Sequence, residues 1–187
     1  MLVIEMEDEN FEMGRISEKT ARLIAGNRTA MKILLLLKRE KKEFNLAEIA
    51  ERLYMDSQPI DNNLAELYER GFIEKIEDRV DSGTQYFRVS RNKKAVDWVI
   101  RMYMKDVAFK LALLLPSYNQ RISADELKTD ERFSEECESS GLTVSEGINV
   151  LLNSKFIEFN SVDGGKRMWL WRKQTKDTFH QNLRNSH

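Results

Sequence analysis

The amino-acid sequence predicts a mainly α fold with small β-hairpins, an α+β chain built from two copies of one module. Three observations predict it. Residues 27–91 and 105–173 share one order of elements: helix, short helix, third helix, an apolar step, then a hairpin with glycine at its tip. The turn residues Asp81-Ser82-Gly83 and Asp163-Gly164-Gly165 each separate alternating apolar runs, as a hairpin requires. Ser123-x-x-Glu126 and Thr143-x-x-Glu146 are capping boxes, which place helix starts at Ala124 and Val144.

The elements follow in order. Ser17 caps a short helix that ends at Gly26. Asn27 caps the next, whose apolar face is Met31, Leu34 and Leu35, widened by Ile33, Leu36 and Leu37. Asn45 caps a second helix, Leu46 to Tyr54, with Leu46, Ile49, Ala50 and Leu53 inward. Ser57 caps the third, with Pro59 in a first turn that has no use for its missing N–H. Ile60, Leu64 and Leu67 recur at helical spacing, and Gly71 ends the helix. Residues 92–115 lack proline and glycine and carry a broad apolar stripe, which predicts one long helix or two meeting near Asp106. That stripe serves either a core shared by the modules or a homodimer interface at Trp98, Met102 and Tyr103. Between the second module's capping boxes, Thr129 to Ser140 reads as a loosened, acidic connection. Trp169 and Trp171, two apart in a strand, face one side, as core, interface or base-stacking residues. The domains expected are an N-terminal arm with a short helix (1–26), the first module with its linking helix (27–104), the second module (105–175) and a tail (176–187).

Composition narrows the function classes. With 187 residues and 41% apolar side chains, the chain is long enough for one large or two small globular domains. One cysteine, Cys137, rules out an internal disulfide framework. The acidic start (Glu5, Glu7, Asp8, Glu9, Glu12) is unlike a secretory signal, and Ile33 to Leu37 is too short to span a bilayer, so a cytoplasmic protein without membrane contact is expected. Both histidines, His180 and His187, lie in the tail without metal-ligand spacing. No phosphate loop or nucleophile–base constellation is visible, which predicts a non-enzyme without metal or cofactor. Net charge is −1, so any nucleic-acid affinity must come from local clusters.

This order of elements resembles that of tandem winged helix-turn-helix domains, which is the architecture expected. The first module resembles the MarR/ArsR-type winged helix-turn-helix transcriptional regulators over about residues 28–91. The resemblance rests on L-x-E-I-A-x-x-L at Leu46 to Leu53, on Ser57-x-x-Ile60-x-x-x-Leu64-x-x-Leu67, on E-R-G-F-I at Glu69 to Ile73 and on Y-F-R-V-S at Tyr86 to Ser90. It implies that the third helix enters the major groove of double-stranded DNA while the wing touches backbone or minor groove. By position, the recognition-helix residues are then Ser57, Gln58, Asp61, Asn62 and Asn63, and the wing residues are Arg79, Ser82, Thr84, Gln85 and Arg88. Backbone anchors are Lys38, Lys41, Lys42, Arg91, Lys93 and Lys94. In the second, winged-helix-like module the equivalents are Ser145, Asn149, Lys166 and Arg167. Two features depart from that pattern. The third helix has no Lys or Arg before Arg70, and Asp61 repels phosphate. The expected function is a DNA-binding transcriptional regulator. The alternatives are a tandem winged-helix scaffold that grips a protein partner, of the chromosome-condensation or transcription-machinery type, and a plasmid-type replication initiator.

Overall fold

The computed structural model describes residues 16–76, 84–115, 121–161 and 168–172. The chain divides into two compact units, Met1–Ile100 and Arg101–His187.

In the first unit, helix α1 (Glu18–Gly26) starts at Ser17, whose hydroxyl accepts the Thr20 N–H at 3.1 Å. Helix α2 (Arg28–Glu40) starts at Asn27 and buries Ala30, Met31, Ile33, Leu34, Leu36 and Leu37. Leu35, expected inside, is only half-buried, because the buried stripe runs through its neighbours. Helix α3 (Leu46–Leu53) opens on a capping box between Asn45 and Glu48 and buries Ile49 and Ala50. Helix α4 (Ser57–Glu69) buries Ile60, Leu64 and Leu67.

The start of α4 corrects one expectation. Asp56, not Ser57, is the cap residue, and its side chain makes no capping bond. A cap side chain normally accepts the N–H of the second or third helical residue. The third is Pro59, which has none. At the other end Gly71 has φ +78, and the N–H of Phe72 reaches the Leu67 carbonyl at 2.9 Å, the expected left-handed exit.

The sheet has three strands, in the order β1-β3-β2: β1 (Phe44–Asn45), β2 (Ile73–Ile76) and β3 (Tyr86–Val89). The hairpin β2/β3 was expected; the two-residue β1 was not. Phe44 lies opposite Phe87, and Ile73 opposite Val89. Phe44, Phe72, Ile73 and Phe87 join the helices' apolar faces in the core. This succession (α2, β1, α3, α4, then the hairpin) is the winged helix-turn-helix fold.

Helix α5 (Lys93–Leu114) is a single helix, so no break occurs near Asp106. In the second unit come β4 (Arg121–Ser123), α6 (Ala124–Thr129), α7 (Glu131–Ser139), α8 (Val144–Asn153), β5 (Ile157–Ser161) and β6 (Met168–Arg172). Both expected capping boxes are present, at Ser123/Glu126 and Thr143/Glu146. The strands lie in the order β4-β6-β5, matching the first sheet. The stretch Thr129 to Ser140, expected as a loosened connection, is largely helix α7. Asp130 caps it through the Phe133 N–H at 2.9 Å, while Phe133 and Cys137, one turn apart, are buried. Strand β4 was also unforeseen.

Candidate nucleic-acid interface

Helix α4 is held by its apolar side, so its other side meets solvent. Ser57, Gln58, Asp61 and Asn62 are all exposed there. They occupy two adjacent pairs one turn apart, which puts them on one face. The Gln58 amide donates to Asn62 Oδ1 at 3.4 Å. Asn63 is not part of this row. It is half-buried, its amide donates to the Pro59 carbonyl at 2.8 Å, and its oxygen accepts from Asn27 at 2.8 Å. It ties α4 to the start of α2, a role set by a partner far along the chain.

The surroundings of this row are acidic. Glu48, Glu51, Asp56 and Asp61 are exposed on α3 and α4. Arg52 is drawn to Glu40 at 3.3 Å, with its guanidinium over the Phe44 ring. Arg70 pairs with Glu66 at 3.0 Å.

Of the wing candidates, Thr84 and Gln85 are exposed where the chain enters β3. Arg79 and Ser82 lie outside the described residues. Arg88 stands opposite Glu74 in the hairpin and donates to it at 3.1 and 3.0 Å, with Glu43 at 3.8 Å. Arg88 thus lies in the hairpin, as expected, with its guanidinium engaged by acidic neighbours. Glu74 also accepts the backbone N–H of Arg91 at 2.9 Å. That bond first, and the Arg88 bond and charge after it, hold the Glu74 carboxyl below the ordinary 4.5, against an opposing push from burial. With its folded pKa depressed, the stabilisation Glu74 brings is complete above 4.5 and lost as pH falls through the folded value. Glu74→Gln should therefore lose less stability than wild type in thermal melts between about pH 6 and about pH 3. Equal acid sensitivity would contradict the assignment.

The anchoring candidates gather where α2 ends and α5 begins. Lys38 bonds Asp97 at 2.5 Å, which sets the end of α2 beside the early turns of α5. Lys41, Lys42, Arg91, Lys93 and Lys94 are exposed. Lys42 lies over the Phe44 ring at 4.7 Å. Lys93 and Lys94 open α5, whose first turn carries no acid. Cations at this positive end of the helix dipole are unfavourable by about 0.3–1 kcal/mol each, a cost that a bound polyanion would offset. Arg91 sits at the end of the hairpin away from its loop, since β2 begins and β3 ends there.

In the second unit Ser145 and Asn149 are exposed on α8, while Lys166 and Arg167 lie outside the described residues. The three interface candidates on α5 divide. Trp98 and Met102 are half-buried. Tyr103 is 2% exposed and its hydroxyl donates to the Ser140 carbonyl at 3.1 Å, which makes it core of the second unit and not a surface for another chain.

One surface residue went unforeseen. Tyr54, at the turn between α3 and α4, is 94% exposed and has φ 52, ψ 46. A shallow depression of about 590 Å³ beside it is lined by Ala50, Glu51, Tyr54, Met55, Asp56 and Pro59. The available signal was position: a helix exit just ahead of a new cap, where glycine is the usual residue.

Among the described residues, no three His, Cys, Asp or Glu side chains are placed to hold a metal ion, and no helix is long and apolar enough to cross a membrane.

The fold is that of a winged helix-turn-helix protein. Among solved structures, the chain is similar to reduced HlyU from Vibrio cholerae, at 21% identity and a TM-score of 0.34, over 46% of this chain and 87% of that one. It is also similar to the adhesin competence repressor AdcR from Streptococcus pyogenes, at 21% identity and a TM-score of 0.40, over 62% and 84%. No protein-family model and no curated protein sequence matches the chain.

Proposed function

We propose that this chain is a DNA-binding transcriptional regulator made of two winged-helix modules, residues 27–104 and 105–175, and that the first reads DNA with α4. The observation that carries this reading is the exposed row Ser57, Gln58, Asp61 and Asn62, opposite the buried Ile60, Leu64 and Leu67. Each suits a base edge or phosphate: the amides match adenine, Asp61 can accept from the cytosine amino group, and Ser57 can donate to a phosphate. Affinity would come from Lys41, Lys42, Arg91, Lys93 and Lys94, and from the wing tip. A homodimer rests on Trp98 and Met102, without Tyr103.

One observation favours a second reading, a protein-interaction scaffold. The helix-turn-helix surface exposes Glu48, Glu51, Asp56 and Asp61, while Arg52 is drawn to Glu40. Titration into a labelled random duplex at two salt concentrations separates the two. A DNA binder loses affinity as salt rises, with a log–log slope of about 0.9 per phosphate neutralised. Absence of binding at both salts favours the scaffold. On a duplex selected from a randomised pool, Asn62→Ala should lose about 1–3 kcal/mol of discrimination at one position. Unchanged preference would remove Asn62 from the reading face.

A further inference from the structure

Tyr54 combines two features that are unfavourable for an idle residue. Its large ring is 94% exposed, and its backbone is left-handed, where a bulky side chain is strained and glycine is not. The conformation is fixed by the helix exit: the Tyr54 N–H reaches the Glu51 carbonyl at 3.2 Å, and the Met55 N–H reaches that of Ala50 at 3.0 Å. The ring thus stands out from the elbow just ahead of Ser57 and Gln58. Lys41 and Lys155 leave their helices in the same left-handed conformation, so what sets Tyr54 apart is the large, exposed ring carried at that position.

The chemistry of the depression narrows what that ring can meet. Of its lining side chains, Glu51 and Asp56 only accept hydrogen bonds when ionised, and Ala50, Met55 and Pro59 offer no donor. The Tyr54 hydroxyl is the one donor among them. We propose that Tyr54 is a DNA-backbone contact, donating its phenolic O–H to a phosphate beside the strand segment that α4 reads. This rests on the DNA-binding reading above.

A phosphate contact is indifferent to sequence, so a labelled random duplex is the right probe. The full chain, Tyr54→Phe and Tyr54→Gly are titrated at two salt concentrations, and each is melted thermally. Tyr54→Phe should bind about tenfold more weakly, the effect of one hydrogen bond to a charged group. Its salt slope should equal that of wild type, because a neutral donor releases no counterion. Tyr54→Gly should bind at least as weakly yet melt no lower, because glycine accepts this backbone conformation. Wild-type binding by Tyr54→Phe overturns the assignment and leaves the DNA reading standing. A wild-type chain that binds at neither salt overturns both.

Discussion

Gly147→Ala is expected to destabilise the second unit by about 1–3 kcal/mol, the cost of overpacking a well-filled core. Two effects compete. Alanine is the better helix former, by about 0.8–1.0 kcal/mol in a helix interior. Against this, a Cβ at Gly147 would lie 2.4 Å from Cys137 Sγ, 3.3 Å from Leu111 Cδ1 and 3.6 Å from Phe133 Cε1. Carbon atoms rest about 3.5–4.0 Å apart, so the first distance demands movement of a buried thiol. The clash should win. A double-mutant cycle with Cys137→Ala checks it: without the sulfur, the same Gly147→Ala change should become close to neutral or stabilising. Urea unfolding gives the coupling, and additivity of the two changes would show that Cys137 is not what excludes the methyl group.

Leu64→Ala is expected to cost the first unit about 2–5 kcal/mol, the range for truncating a buried leucine. Leu64 is 1% exposed and sits between Ile60 and Leu67 on the inward side of α4. The loss is a large share of the roughly 5–15 kcal/mol that holds an ordinary domain together. Binding should fall with it, because the polar row is positioned only while α4 is docked. Asn62→Ala, one turn from Gln58 on the wet side, should leave the melting temperature within about 2–4 °C, since exposed changes stay within about ±0.5 kcal/mol. A guanidinium midpoint for Leu64→Ala equal to wild type would mean that α4 is not docked by this side.

The pattern of success and failure in reading the sequence follows the range of the interactions. Ser17, Asn27, Asn45, Ser123 and Thr143 were legible as caps because each accepts from the N–H just three residues on. The stripe Ile60, Leu64, Leu67 and the glycine exit at Gly71 are equally local. Strand β1 was not legible, because its two residues are strand only by virtue of Phe87 and Tyr86, far along the chain. Helix α7 was hidden by its acidic composition, although Asp130 and the Phe133/Cys137 spacing marked it. At the site, exposure of Ser57, Gln58, Asp61 and Asn62 followed from the helical period. The withdrawal of Asn63 to Asn27, of Arg88 to Glu74 and of Tyr103 to Ser140 did not, because each depends on a neighbour that only the fold supplies.

Cys137, the chain's one cysteine, is wholly buried, and burial first, with Glu136 and Glu146 adding to it, pushes its thiol up to about 12. At neutral pH such a group reacts with a maleimide or disulfide reagent only during excursions that let solvent in. The rate at which one label is incorporated is therefore a gauge of how often the second unit breathes, already present in the natural sequence and needing no engineered probe.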